Sequence, residues 1–197
     1  KCYASLYTDR AISYRKSRNI PQLINISVGI QKMVRSDLGS AGVAFSIDPE
    51  SGFKDLIVIN GAFGLGELVV SGEVKPDEIL VNKIKLQQGY KSIIDKKLGK
   101  KTEKIVYASN PGIFIKKIKL NKQDRNSFCI SENNILKLSH WIVKLEKYYS
   151  ELYNNWCPID VEWAVDGIDN KVYIVQVRPE TVISQKNNDI LKQFKIL

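Results

Sequence analysis

Two acids and two polar residues interrupt otherwise apolar segments in IDVEWAVDGIDNKVYIVQVRPET, Ile159 to Thr181. Asp160 and Glu162 fall in the first strand-like piece, Gln176 and Arg178 in the second, and a turn is expected at Asp166 to Asn170. Period-two alternation puts Asp160, Glu162 and Ala164 on one face of the first strand, and Val172, Ile174, Gln176 and Arg178 on one face of the second. Pairing Val165 with Lys171 then sets Glu162 against Ile174 and Asp160 against Gln176, so the four polar groups share a surface. A slip of one residue separates them. Two carboxylates, an amide oxygen and a guanidinium suit a metal-bound polyphosphate. Mg²⁺ takes hard oxygen ligands, commonly one or two carboxylates with phosphate oxygens and water. Arginine forks onto phosphate oxygens and stabilises charge as a phosphoryl group transfers. Spacing alone leaves a second reading open, a surface hairpin carrying an ordinary cross-strand acid–arginine pair.

A second constellation is GAFGLGELVVSG, Gly61 to Gly72. Glycines at 61, 64 and 66 would let backbone amides approach an anion, with a helix beginning near Glu67. The spacing is neither GxGxxG nor GxxxxGK[ST], so neither nucleotide-loop mechanism follows, and a tight turn needing positive φ explains the glycines as well. SDLGSAGVAFSIDPESG, Ser36 to Gly52, is a similar small-residue loop entering a strand. The lone histidine, His140, falls beside Lys137, Lys144 and Lys147 on the polar side of a helix and reads as solvated. Cys2, Cys129 and Cys157 are odd in number and far apart, which fits reduced thiols rather than a disulfide framework or zinc site.

The elements that must position these groups come from a chain of 197 residues, 44% hydrophobic and 26% charged, a globular composition. No run approaches the length of a membrane helix, and the opening KCYASLYTDRAISYRKS lacks the apolar run of a secretory signal, so a cytoplasmic protein is expected. The formal charge of +9 invites a nucleic-acid reading. Its only dense run, KKLGKKTEK at Lys96 to Lys104, has no interleaved aromatics, which favours a solvated lysine-rich edge. An anionic small molecule such as a nucleotide would also suit a basic cleft.

A helix is expected over Tyr3 to Arg18, then strands at Ile24 to Val34, Gly42 to Asp48 and Asp55 to Phe63. PDEILVNK and the lysine-rich pieces KSIIDKK, TEKIVYAS and GIFIKKIKL read as a β meander or loop excursion. Ser131 caps a long helix whose apolar stripe is Ile135, Leu138, Ile142, Leu145, Tyr149 and Leu152. The closing hairpin precedes a polar-to-helical tail. The expected class is α+β with a mainly antiparallel sheet and flanking helices.

Together CYASLYTDRAISYR, IQKMVRSD, GVAFSIDPESG, INGAFGLGELVVSGEVKPDE and PIDVEW…YIVQVRPET resemble the phosphoenolpyruvate synthase (pyruvate, water dikinase) family. The match falls in the later part of its N-terminal ATP-binding domain. The QVRPET ending is closer to the QARPET form of the synthases than to the forms of pyruvate phosphate dikinases or rifampin phosphotransferases. The resemblance implies an incomplete, ATP-grasp-like domain over residues 1–184, with 185–197 a tail or linker to another domain. It implies a gluconeogenic reaction in which pyruvate, ATP and water give phosphoenolpyruvate, AMP and phosphate. A phosphohistidine domain and a pyruvate-binding barrel outside this chain would be its partners.

Carried over residue by residue, Glu162 and Gln176 resemble the family's Mg²⁺-binding pair, with Asp160 in the accompanying acidic position. Arg178 resembles its triphosphate-binding arginine. Gln31, Lys32 and Met33 resemble the hinge that holds adenine, and Glu67 is a candidate for ribose. The family's earlier half, with its own phosphate-binding lysine and arginine, is not matched, which implies little turnover by this chain alone. Another dikinase-type phosphotransferase and a non-catalytic nucleotide-binding or basic interaction module are the competing readings.

Overall fold

The computed structural model describes residues 1–109 and 114–180. The chain divides into two compact units, Lys1–Met33 and Val34–Leu197. In the first unit, a 3₁₀ turn at Tyr3–Tyr7 leads to α1, Asp9–Ser17. The single helix expected over Tyr3 to Arg18 is therefore split at Thr8, whose extended backbone and hydroxyl cap α1 by accepting from the Ala11 amide at 3.4 Å. Arg15 is buried and donates to the Leu6 carbonyl at 2.8 Å, tying the two turns together.

The strand expected at Ile24 to Val34 does not form; the segment carries no regular structure. Ile30 is 99% exposed. Alternation announces a surface to be buried, but a strand also needs a neighbour for its N–H and C=O groups. The first unit contains no strand to supply one.

The second unit is built on one sheet. Its strands are β1 (Ser40–Phe45), β2 (Leu56–Phe63), β3 (Asp77–Asn82), β4 (Ile93–Lys97), β7 (Ile159–Val165) and β8 (Val172–Pro179). They run β4-β3-β2-β1-β7-β8, every pair antiparallel. The hairpin thus joins the sheet beside β1 rather than standing alone. The lysine-rich middle contributes β4 to the main sheet. It also forms a separate ribbon of β5 (Glu103–Tyr107) and β6 (Ile115–Lys119). Short helices α2 (Glu67–Val70), α3 (Lys83–Gln87) and α4 (Lys122–Arg125) occupy connections. At five residues, α3 is too short to show periodicity; its signal is local, the Asn82 side chain accepting from the Lys85 amide at 2.9 Å.

One face of the sheet packs against α5, Glu132–Leu152. Ser131 caps the helix as expected, accepting from the Asn134 amide at 3.3 Å. Ile135, Leu138 and Ile142 are buried against Ile57, Ile59, Ile79, Val81, Val161 and Trp163. At about 1.5–3 kcal/mol per fully buried aliphatic or aromatic side chain, this layer is the main source of cohesion. The expected stripe runs one turn too far, because Leu152 at the helix end is exposed, and His140 is solvated as expected.

Trp163, Gly42 and Gly61 are lateral neighbours on this face, and the Trp163 indole lies over Gly61. A Cβ on Gly61 would stand 2.5 Å from the Trp163 ring. We expect Gly61→Ala to cost about 1–3 kcal/mol through overpacking, read as a lower denaturant midpoint at unchanged slope.

No helix among the described residues is long and apolar enough to cross a membrane. The tail expected at 185–197, like Thr181, Gly112 and Ile113, lies outside the described residues.

Candidate functional site

The face of the sheet turned away from α5 carries the polar residues of the hairpin. Near the turn the strands pair Val165 with Val172, Ala164 with Tyr173 and Trp163 with Ile174, one residue out from the expected register. That is the slip that would have separated the four groups. A β-bulge between Glu162 and Trp163 then leaves Val175 without a partner. This second one-residue step restores the parity. Glu162 faces Gln176 and Asp160 faces Arg178 directly. The expected grouping of Val172 and Ile174 with Gln176 and Arg178 is corrected: Val172 and Ile174 turn to the core, whereas Gln176 and Arg178 turn outward with the acids.

The turn is fixed by its own chemistry. Asp166 accepts from the Ile168 amide at 2.8 Å and from the Arg35 amide at 3.1 Å, and Asp169 accepts from the Lys171 amide at 2.9 Å. Asn170 sits at φ +55°, a left-handed position that asparagine tolerates. Arg35 in turn donates to both Asp37 oxygens at 2.8 and 2.9 Å. That hydrogen bond, aided by the guanidinium charge, lowers the Asp37 pKa.

At the outward face, the Arg178 Nε donates to the Asp160 Oδ2 at 2.8 Å. The arginine side chain is 57% exposed and that of the aspartate 16%. The Asp160 Oδ1 is buried with no hydrogen-bond partner among the described residues. Glu162 is half-buried and Gln176 exposed. A half-buried carboxylate in a sheet carries a desolvation cost that a cation would offset. No preformed cluster of three or more acidic, His or Cys ligands exists among the described residues. Two carboxylates and an amide fit an ion that brings its remaining oxygen ligands with it, which is how Mg²⁺ accompanies phosphates.

The glycine loop reaches the same face but not as expected. Gly64 has φ +88°, and a Cβ there would lie 2.5 Å from the Ile105 carbonyl. The Gly64 amide donates to the Gly39 carbonyl at 3.0 Å and the Leu65 amide to the Ile105 carbonyl at 2.9 Å. Gly61 is packed by Trp163. Turn geometry and packing therefore account for Gly61 and Gly64, and the amides of Gly64 and Leu65 are already spent within the protein. A Cβ on Gly66 would meet the Ala41 Cβ at 3.5 Å, which lays the start of α2 over Ala41, with Glu67 exposed; Ala41 is paired laterally with Ala62 and Ala164. These alanines form the row next to Glu162 and Gln176.

Gln31, Lys32 and Met33 lie at the end of the first unit, exposed and without regular structure rather than at the end of a strand. The structure therefore brings together Asp160, Glu162, Gln176 and Arg178, and sets Glu67 beside the same face.

Asn60, the one polar side chain in LIVINGAF, lies on this same face. It faces Val43, which faces Glu162, so Gln176, Glu162, Val43, Asn60 and Glu78 form one lateral row. Elsewhere, a cavity of about 390 Å³ opens beside α3 and α5 at Lys83, Glu146 and Trp156. Its central charges satisfy one another: Lys83 donates to both Glu146 oxygens at 2.8 and 2.7 Å, and the Trp156 Nε1 donates to the same carboxylate at 3.0 Å. Burial lowers the Lys83 pKa against the opposing pull of Glu146.

With this geometry in hand, residues 1–196 match the family described as pyruvate phosphate dikinase, AMP/ATP-binding domain. The chain belongs to that family. Within it, this dikinase nucleotide-binding domain is similar to proteins named phosphoenolpyruvate synthase. Identity is 48% to the protein of Aquifex aeolicus, over 99% of this chain and 23% of the relative. It is 46% to that of Synechocystis, over 100% and 24%, and 48% to that of Helicobacter pylori, over 98% and 24%. The chain spans about a quarter of the length of these curated relatives. The resemblance carried by its separate segments is borne out along nearly the whole dikinase-domain match, including the lysine-rich middle.

Proposed function

We propose that the chain is the ATP-binding portion of a phosphoenolpyruvate synthase and belongs to an ATP-grasp-type domain. The intact enzyme would convert pyruvate, ATP and water to phosphoenolpyruvate, AMP and phosphate in the cytoplasm. A phosphohistidine domain and a pyruvate-binding barrel beyond this chain would carry the later steps. The observation that supports this most is the bulged hairpin, which sets Glu162 opposite Gln176 and Asp160 opposite Arg178 on one face. A plain cross-strand ion pair would explain Asp160 and Arg178 alone, but not the half-buried Glu162 beside them, which has no basic partner among the described residues.

In this reading Asp160 holds the guanidinium through Nε and leaves its terminal nitrogens for triphosphate oxygens. Glu162, Gln176 and the second oxygen of Asp160 provide the oxygen set for Mg²⁺. The ion supplies charge neutralisation at the phosphates and a template for their alignment. Glu67 holds the ribose. Arg178 orients the triphosphate and stabilises charge on it during transfer.

Calorimetric titration of the full-length protein with Mg-ATP and with AMP tests the arginine. Arg178→Ala is expected to weaken Mg-ATP binding at least tenfold, about 1.4 kcal/mol, while AMP affinity stays within twofold. Unchanged Mg-ATP affinity would count against the assignment.

A further inference from the structure

We propose that Asn60 is a further phosphate-binding residue of this site, donating its side-chain amide to the polyphosphate on the side away from β8. The inference rests on the nucleotide-site reading of the hairpin and extends it two strands across the sheet. Asn60 is half-buried on β2, on the same face as Glu162, and only Val43 stands between them in the row. Strands about 4.8 Å apart put the β2 and β7 positions roughly 10 Å from each other. The valine between them is an apolar floor with no hydrogen-bonding side chain.

The neighbouring row toward the glycine loop runs through Ala41, Ala62 and Ala164, which are buried, with the start of α2 laid over Ala41, and offer no hydrogen-bonding side chain. The row on the other side holds Phe45 and Val58. Asn60 is thus the polar group nearest to Glu162 on the β2 side. It has no side-chain hydrogen bond among the described residues, and its amide is half-buried rather than sealed in the core, so it is open to a partner on this face. Glu78, next in the row, is engaged by Lys97 at 2.8 Å. A polyphosphate lying across the strands, with its metal at Glu162 and Gln176, brings an oxygen acceptor to the Asn60 amide.

The choice of donor makes the test specific. Asn60→Ala removes the amide, and Asn60→Asp keeps size and an oxygen but removes the donor and adds charge. Titrated into the full-length protein, Mg-ATP should bind about tenfold more weakly to the alanine variant and more weakly still to the aspartate variant. AMP should bind both within twofold of the parent, because it lacks the outer phosphates. A merely structural asparagine would weaken ATP and AMP alike, and that result overturns the proposal. So does an aspartate variant that binds Mg-ATP as well as the parent, which would indicate an oxygen contact instead. Glu162→Ala is run in parallel. If it too leaves Mg-ATP binding intact, the hairpin reading has failed; if it loses binding while both Asn60 variants keep it, only the Asn60 extension has failed.

Discussion

Asp77→Ala is expected to destabilise the 197-residue chain by about 3–5 kcal/mol. Asp77 lies at the start of β3 with no exposed surface, and Lys101, equally buried, donates to its Oδ1. The same carboxylate accepts from the Gly99 amide at 2.8 Å and from the Cys129 amide at 2.8 Å. One side chain therefore holds β3, the segment before β5 and the segment before α5. Removing it strands a buried ammonium and leaves the Gly99 and Cys129 amides without this acceptor. Replacing both charges, as Asp77→Leu with Lys101→Met, should recover the part of the loss due to the stranded ammonium, because an apolar pair does not carry the desolvation of two ions, while the Gly99 and Cys129 amides stay without this acceptor. Denaturant unfolding measures both. A single-variant loss below about 1 kcal/mol would mean the pair behaves like a surface ion pair. Burial, with the Asp77 charge acting in the same direction, keeps the Cys129 thiol pKa well above its ordinary value, so this cysteine serves packing rather than nucleophilic chemistry.

That buried network shows where sequence reading stops. Asp77 looked like one polar residue in PDEILVNK, and nothing local tells a solvated aspartate from one that will meet Lys101. The long helix was legible because its cap and its apolar stripe are both local signals. The hairpin strands and the polar character of their outward face were legible for the same reason. Their register was not: it depends on the Asp166 turn, which closes one residue later than expected, and on the Val175 bulge. The two errors cancel in parity, so the expected face survives although the expected partners do not. The strand at Ile24 to Val34 failed for the opposite reason, a local pattern with no neighbouring strand in its unit. Glycines 61 and 64 suggested an anion cradle, but Trp163 packing and the contact with Ile105 explain them.

Glu162→Gln should produce the largest functional loss. The change preserves shape and the carbonyl-type oxygen while deleting the charge that a Mg²⁺ ion needs. In the parent, ATP should bind more tightly with Mg²⁺ than without it. In the variant the Mg²⁺-dependent increment should fall by about a hundredfold, near 2.7 kcal/mol, so the two titrations converge. AMP binding should be little affected. Asp160→Asn is expected to act differently, by loosening the hold on Arg178, and so to weaken ATP with and without the metal. A Glu162→Gln protein with its full Mg²⁺-dependent increment would place the metal elsewhere.

Diffraction from crystals of the full-length protein grown with ATP and Mn²⁺ in place of Mg²⁺ tests the central claim most directly, because the anomalous signal of manganese locates the ion without reference to activity. We expect a peak within coordination distance of a Glu162 carboxylate oxygen and the Gln176 amide oxygen, with a phosphate oxygen on the ion and the Arg178 guanidinium on the same triphosphate. A nucleotide-bound manganese away from these side chains, or bound ATP whose phosphates leave the outward face of the hairpin untouched, would contradict it.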